Sequence, residues 1–182
     1  MWTKEKIDEF MSDYGFKPKN TKSEVKELPN ILQEDEELRA LLDGMLKRVN
    51  GNDFNGAGLV IATNKRIIFF RKSFIGTISK EEIPLRMVTS SGYRKGLMMS
   101  GVVITTANNE ASVEYCDKKE AEQFNAIVQE LLNEQHSSQN NAQTNQSQPS
   151  NFEQLEKLFE LKQKGIITED EFNQQKGKLL QN

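Results

Sequence analysis

The chain has 182 residues, 36% of them hydrophobic, and a formal net charge of −3. This length suits one medium-sized domain with appendages or two small domains. The single cysteine, Cys116, excludes an internal disulfide, and the single histidine, His136, excludes a histidine-rich metal site. No run approaches the roughly 20 apolar residues that span a bilayer, and the first residues lack the apolar core of a signal peptide. We therefore expect a cytoplasmic protein without a transmembrane segment.

Charge is distributed unevenly along the chain. Residues 36–95 contain eleven lysines and arginines against six acidic residues, whereas the flanking segments are acidic. A basic region in an acidic protein suggests an anionic partner for that region. Because the overall charge is negative, no nucleic-acid partner is expected.

Residues 3–14 are predicted to form a helix that begins at the N-cap Thr3 and stops at Gly15. Acidic residues on this helix would be repelled by anionic lipid, so we expect its apolar stripe to pack against the body of the protein rather than lie on a membrane. The stripe follows helical spacing and consists of Ile7, Phe10, Met11 and Tyr14.

A tight β-hairpin is predicted in residues 57–72. Two apolar runs, Leu59–Ala62 and Ile67–Phe70, flank a polar turn at Asn64-Lys65, where Asn64 tolerates the left-handed conformation of a two-residue turn. Such a turn pairs Ala62 with Ile67 and makes both faces of the hairpin apolar. One face can fill the interior of a sheet, and the N-terminal stripe is the internal candidate to cover the other.

Further strands are expected on both sides of the hairpin. A first strand is predicted at 38–46, followed by a loop at 50–56, and a second loop at 71–76 follows the hairpin. Later strands are predicted at 77–82, 85–93, 99–106 and 110–116, and an amphipathic helix at 117–134. Short strands separated by turn signals predict an α+β fold whose antiparallel sheet closes as a barrel or sandwich.

The C-terminal quarter of the chain changes character. Residues 136–151 are polar and almost free of apolar side chains, which predicts a disordered linker. Residues 152–164 then form a predicted helix with Gly165 at its end, and Thr168 to Glu171 make a capping box that opens a second helix. We therefore expect a separate two-helix hairpin tail at 152–182.

Two parts of the chain resemble known families. Leu28–Gln33 and Gly58–Arg66, followed by the strands and the closing helix, resemble the bacterial pleckstrin-homology-like (PH-like) domain of the YokE-like type. The helix–Gly-Ile-Ile-Thr-x-x-Glu-Phe–helix pattern of the tail resembles the short C-terminal (SHOCT) domain. The resemblance implies a partly open barrel capped by the helix. The predicted domains are an N-terminal helical segment at 1–27, the PH-like domain at 28–135, the linker at 136–151 and the SHOCT-like hairpin at 152–182.

The sequence offers no arrangement of catalytic, cofactor-binding or metal-ligating residues. His136 lies at the edge of the predicted linker and lacks neighbours that would hold it as a base. Cys116 stands between Glu114 and Asp117, whose charges should raise its thiol pKa, so it is predicted to be structural. The glycines of residues 56–58 precede a strand and not a helix, so they do not form a phosphate loop.

Basic and apolar residues near predicted loops are the remaining candidates. The PH-like resemblance implies that inter-strand loops contact phospholipid headgroups, although the basic motif of phosphoinositide-binding members is absent and an ordinary solvated face is the alternative. The candidate residues for an anionic ligand or a membrane are Lys47, Arg48, Arg71, Lys72, Phe74, Arg94 and Lys95.

These observations predict a non-enzymatic cytoplasmic adaptor whose PH-like domain binds protein or lipid. The rival prediction is a peripheral membrane protein that recognises anionic phospholipid through its loops. A tail shorter than about 40 residues seldom folds alone, so residues 152–180 should dock on another copy, a partner or the first domain, and we favour self-association. The candidate residues for this contact are Leu155, Leu158, Phe159, Ile166, Ile167, Phe172 and Leu179.

Overall fold

The structure is a computed structural model that describes residues 1–49, 52–145, 159, 162 and 168–179. The chain divides into two compact units, Met1–His136 and Ser137–Asn182, and each is considered by itself. The predicted domain boundaries at 27, 135 and 151 stay predictions.

The first unit is built on one antiparallel sheet of seven strands in the order β4-β3-β2-β1-β7-β6-β5. Three short helices precede the sheet, and a long helix follows it, which confirms the predicted α+β, PH-like architecture. A single 3₁₀ turn, Leu85–Met87, separates β4 from β5. The elements are α1 Lys4–Tyr14, α2 Lys22–Val25, α3 Leu28–Ile31, β1 Leu38–Val49, β2 Asn52–Thr63, β3 Arg66–Lys72, β4 Ile78–Pro84, β5 Val88–Lys95, β6 Ser100–Thr106, β7 Glu110–Cys116, α4 Lys118–Asn145 and α5 Glu169–Leu179.

The predicted hairpin is confirmed in its register, because Ala62 pairs with Ile67 and Ile61 pairs with Ile68. The prediction of a left-handed conformation at Asn64 is wrong, because among the described non-glycine residues only Asn55 and Tyr115 have a positive φ. The turn is held instead by the side chain of Thr63. Its Oγ1 accepts hydrogen bonds from the backbone amides of Lys65 and Arg66, each at 3.1 Å. A side-chain oxygen can stabilise a turn in this way without a left-handed residue.

The two faces of the hairpin enter two different cores. One face packs with the inner sides of the other strands and with α4, whose Phe124 and Val128 are fully buried. Since α4 is amphipathic, this contact buries its apolar stripe, as predicted. The hairpin residues in this core are Val60, Ala62, Ile67 and Phe69.

The second face is covered by the N-terminal segment, which confirms the predicted role of the α1 stripe. Ile7 is fully buried there, while Phe10, Met11 and Tyr14 are partly buried against the same cluster. The segments that follow α1 add to this layer through Phe16, Val25, Leu28 and Leu32. The hairpin residues in this core are Leu59, Ile61, Ile68 and Phe70.

The β1–β2 connection differs from its prediction. β1 continues to Val49, and β2 begins at Asn52, so most of the predicted loop 50–56 belongs to a strand. Residues of low strand propensity pair here because the ladder continues past a bulge between Leu46 and Arg48, and because Phe54 is buried in the core. Packing in tertiary structure therefore outweighs the local propensity.

Helix α4 also exceeds its predicted length. It continues to Asn145, so residues 136–145 of the predicted linker are helical, and the remaining linker residues lie outside the described part of the chain. Helix nucleation is costly, whereas adding residues to an existing helix costs little. The docked first turns of α4 provide that nucleus, and the Ser, Asn and Gln residues that follow can extend it.

Candidate binding surfaces

Three of the six predicted basic residues are paired with acidic residues from distant parts of the chain. Lys72 Nζ lies 2.6 Å from Glu27, and Lys47 Nζ lies 3.8 Å from Glu114. Arg94 forms a longer, exposed pair with Glu110. The excess positive charge of residues 36–95 is therefore substantially offset once the acidic flanks fold against the sheet.

Several of these basic residues lie in strands and not in loops. Arg71 and Lys72 close β3, so placing them in the loop 71–76 was wrong. Lys47 and Arg48, predicted to lie just before a loop, belong to β1, and Arg94 and Lys95, predicted to follow a strand that ends at 93, close β5. Their strands run longer than predicted, for the packing reasons given above. Only the backbone of Arg48 is described.

The hairpin between β5 and β6 exposes three consecutive apolar side chains next to basic ones. Leu97 is 94% exposed and Met98 is 84% exposed, and Met99 is also exposed. We call these three residues the β5–β6 tip. Arg94 and Lys95 precede the tip at the end of β5. The tip therefore presents apolar side chains directly beside two cationic ones.

A shallow groove of about 280 Å³ adjoins the β5–β6 tip. Arg94, Lys95 and Met99 line it together with Tyr115, which is exposed and has a positive φ of 57°. Lys47 Nζ lies 5.7 Å from the centre of the Tyr115 ring, within the range of a cation–π contact. The groove thus combines an aromatic ring, a methionine and an arginine, three residue types enriched at protein interfaces.

Local backbone contacts define the shape of the tip. The amide of Gly96 donates to the carbonyl of Met99 at 3.0 Å, and a Cβ on Gly96 would lie only 2.4 Å from that oxygen. Glycine is therefore required by the close approach of the backbone. Lys118 Nζ donates to the carbonyl oxygen of Leu97, which ties the tip to the start of α4.

A second apolar tip lies between β3 and β4. Phe74 and Ile75 are fully or almost fully exposed there, and we call them the β3–β4 tip. Ser73 closes the loop by accepting from Gly76 and donating to the carbonyl of Thr77, at 2.9 and 2.8 Å. Gly76 has a φ of 88°, a conformation that glycine adopts without strain. Phe74 was predicted as a site residue, whereas Leu97, Met98 and Met99 were not.

The predicted candidates do not converge on one pocket. Lys72 lines a cleft with residues of the N-terminal segment, whereas Arg94 and Lys95 line the groove beside Tyr115. In the strand order, β3 and β5 are separated by β2, β1, β7 and β6. The two sets are therefore separate surfaces.

Groups suited to acid–base or nucleophilic chemistry are not assembled in the described residues. Burial, reinforced by the charge of Asp43, raises the pKa of the Cys116 thiol to about 12. The predicted direction of this pKa shift is confirmed, but its main cause is burial and not the flanking acids.

No group of three or more His, Cys, Asp or Glu side chains in the described part of the chain could hold a metal ion. None of the described helices is both long and apolar enough to cross a membrane.

The described part of the second unit shows contacts within the tail. The rings of Phe159 and Phe172 meet edge to face at 6.3 Å between centroids, and Lys162 Nζ lies 5.2 Å from the Phe172 ring. The predicted capping box is confirmed: Thr168 N donates to Glu171 Oε2 at 2.8 Å, and Glu171 N donates to Thr168 Oγ1 at 3.3 Å. Leu179 lies in α5. The other predicted association residues, Leu155, Leu158, Ile166 and Ile167, lie outside the described residues.

The seven-stranded sheet and its closing helix define the first unit as a PH-like module. The C-terminal residues form a second unit. A family model described as "Bacterial PH domain" matches residues 32–130, and the chain belongs to this family. A second model, the short C-terminal domain (SHOCT), matches residues 153–180. Both predicted resemblances are thereby confirmed.

Solved structures with similarity to this chain include several PH domains. A DUF1696 family protein from Shewanella loihica is 16% identical, with a TM-score of 0.42, covering 63% of this chain and 94% of that one. A PH domain from Shewanella amazonensis is 18% identical, with a TM-score of 0.34, covering 53% and 82%. The hSac2 domain of the human phosphoinositide phosphatase Sac2 is 9% identical, with a TM-score of 0.41, covering 72% and 81%. No curated protein matches the sequence.

Proposed function

We propose that this protein is a non-enzymatic cytoplasmic adaptor whose PH-like domain binds another protein through the β5–β6 tip and its groove. The observation that carries the proposal is the exposure of Leu97 and Met98 beside Arg94, Lys95 and Tyr115. Methionine, tyrosine and arginine are enriched in interfaces, and flexible methionines adapt to a partner's surface.

The test is site-specific photo-crosslinking in the native cells. A crosslinking amino acid at Leu97 should yield one recurrent protein adduct, whereas the same group at Asn108, an exposed residue of another hairpin, should not. Replacing Arg94 and Lys95 by glutamine should weaken the adduct. Adducts to lipid alone, or equal adducts from both positions, would contradict the adaptor proposal.

The second part of the proposal is that the C-terminal unit associates with a copy of itself. Its support is the apolar pair of Phe159 and Phe172, on a segment too short to bury a core alone. Light scattering across concentration should show a dimer or larger species that is lost in the variant Phe159→Asp/Phe172→Asp. The variant Asn173→Asp/Gln175→Glu adds the same charge at exposed positions of α5 and should keep the assembly. A wild-type protein that is monomeric at high micromolar concentration would refute self-association.

A specific observation also supports the peripheral-membrane alternative. The two apolar tips carry side chains that could insert among lipid acyl chains, and a basic residue lies close to each of them. Lys72 stands two residues before Phe74, and Lys95 stands two residues before Leu97. A basic residue near an anionic surface contributes about 1 kcal/mol of attraction. Binding through these tips should therefore require anionic lipid and weaken with salt.

Cosedimentation with vesicles tests this alternative. Anionic phosphatidylserine vesicles should retain the wild-type protein at low salt and release the variant Phe74→Ser/Met98→Ser. The control variant Met87→Ser, which removes an exposed apolar side chain elsewhere, should bind as the wild type does. Equal, negligible binding to neutral and anionic vesicles would eliminate the membrane role.

A further inference from the structure

A cleft of about 550 Å³ opens between the N-terminal segment and the end of β3. Its wall contains four lysines, Lys19, Lys22, Lys26 and Lys72, with one glutamate, Glu27, and two small polar residues. We call it the lysine cleft. Six of its seven residues precede residue 32, where the match to the family model begins. The lysine cleft is therefore a feature added by the N-terminal segment. It adjoins the β3–β4 tip only through Lys72, at the end of β3.

Buried carboxylates hold the wall of the lysine cleft against the sheet. Asp43 Oδ2 accepts hydrogen bonds from the backbone amides of Lys19 and Asn20 at 2.8 and 3.1 Å. Glu24, which is also buried, accepts from the backbone amide of Lys72 at 2.8 Å. These bonds fix the backbone from which the lysines project. The arrangement is thus largely formed before a ligand binds, which lowers the entropic cost of binding.

The lysines differ in how far their charges are compensated. Lys72 is paired with Glu27 at 2.6 Å, and Lys19 is paired with Glu120 at 3.4 Å. Lys22 and Lys26 are exposed, and neither makes an ion pair within the described ranges of the chain. They stand four residues apart, at a spacing where like charges repel each other. An anion between them would relieve this repulsion and gain two charge-assisted contacts.

The composition of the wall indicates the class of ligand. None of the seven described lining residues is aromatic or branched aliphatic, so the wall has no surface to stack a base or to take an acyl chain. We propose that the lysine cleft binds a multiply charged phosphate group, with Lys22 and Lys26 as its principal contacts. The group is carried either by a free polyphosphate compound or by a phosphomonoester lipid headgroup.

Calorimetric titration of the full chain with sodium tripolyphosphate at low salt tests the free-phosphate source. The variant Lys22→Gln/Lys26→Gln should bind up to about 30-fold more weakly, because each exposed ion pair contributes at most about a factor of five. The matched control Lys4→Gln/Lys6→Gln removes two exposed charges from α1, outside the cleft. It should bind as tightly as the wild type.

Vesicles of phosphatidic acid in phosphatidylcholine test the lipid source. If the headgroup is the ligand, these vesicles should bind the wild type and not the Lys22→Gln/Lys26→Gln variant, whereas tripolyphosphate gives no heat. The apolar-tip variant Phe74→Ser/Met98→Ser should leave binding of either probe unchanged, which separates this site from the membrane role considered above. The proposal is overturned if neither probe binds at low salt, or if the α1 control loses as much affinity as the cleft variant.

Discussion

Glu36 offers a sharp test of how the N-terminal layer is attached to the hairpin. Its side chain is fully buried, and its carboxylate accepts four hydrogen bonds. Two come from Arg66, from Nε at 2.6 Å and Nη2 at 2.8 Å, one from the backbone amide of Gln33 at 2.8 Å and one from Thr63 Oγ1 at 3.2 Å. The residue therefore joins the segment after α3 to both strands of the hairpin.

The substitution Glu36→Ala should cost about 3 kcal/mol of unfolding free energy. Removing one partner of a buried ion pair typically costs about 3–5 kcal/mol, because the remaining charge stays buried. The lower end applies here, since Arg66 keeps its contacts with Glu82 and with the carbonyl of Ile31. For a chain of this size, the loss corresponds to a fall in Tm of about 6–12 °C.

Urea unfolding followed by far-ultraviolet circular dichroism and by Trp2 fluorescence measures this change. Trp2 is the only tryptophan, and its Nε1 donates to the carbonyl of Glu36 at 3.1 Å, so it reports on the same junction. Glu34→Ala removes an exposed carboxylate nearby and should leave the stability unchanged. A loss below about 1 kcal/mol in Glu36→Ala would refute the reasoning on buried charge.

The pH dependence provides an independent check of the same contact. Burial is the largest single influence and raises the pKa of Glu36, but the hydrogen bonds from Arg66, the Gln33 amide and Thr63, together with the charge of Arg66, outweigh it, so the pKa lies below the ordinary glutamate value. A lowered pKa means that the stabilisation is present above the unfolded-state pKa and is lost as pH falls through the folded-state pKa. The stability difference between wild type and Glu36→Ala should therefore be full at pH 7 and shrink below about pH 4. A difference that grows on acidification would contradict this sign.

Three further predictions concern the two cores. Ile7→Asp places a charge in the buried layer under α1 and should lower the unfolding free energy by about 3 kcal/mol or more; an unchanged urea midpoint would show that α1 does not cover the hairpin. Gly44→Ala would put a Cβ 2.5 Å from Val113 Cγ2 and should lower the unfolding free energy by about 1–3 kcal/mol in the same assay. At Gly92 an added Cβ meets nothing within 4 Å, so Gly92→Ala should lower it little. Equal losses of stability in the two variants would contradict the close packing around Gly44. Cys116 should resist Ellman's reagent at pH 8 until urea unfolds the protein, since burial raises its thiol pKa to about 12; rapid labelling of the folded protein would refute its burial.

The hairpin shows what local sequence can predict. Its two apolar runs and polar turn lie within twelve residues, so strand length, alternation and register all follow from neighbouring side chains. The same alternation revealed a second apolar face at Leu59 and Phe70, and hence the need for a covering layer. The turn conformation was missed because Thr63 Oγ1, and not Asn64, satisfies the turn amides.

The surfaces were harder to predict because charge is compensated across long distances in the sequence. The surplus of lysine and arginine in residues 36–95 suggested an anionic partner for that region, yet Lys72 pairs with Glu27 and Lys47 with Glu114, both outside it. Neither pairing has a local signature, since each partner lies far away in the sequence. The prediction of an anionic partner therefore depended on contacts that a linear pattern does not contain.

Periodicity and turn chemistry alone determined the α+β class, the hairpin register, the two apolar faces and the capped helices α1 and α5, because each depends on residues within about one or two turns of each other. Tertiary structure alone decided where β1 and α4 end and where β2 begins, since pairing and docking extend elements beyond their local propensity. It also decided which cations remain uncompensated. Lys22 and Lys26 carry no sequence signal that separates them from Lys19 or Lys72. Their exposure on a wall held by Asp43 and Glu24 sets them apart, and that wall forms only when the N-terminal segment folds onto the sheet.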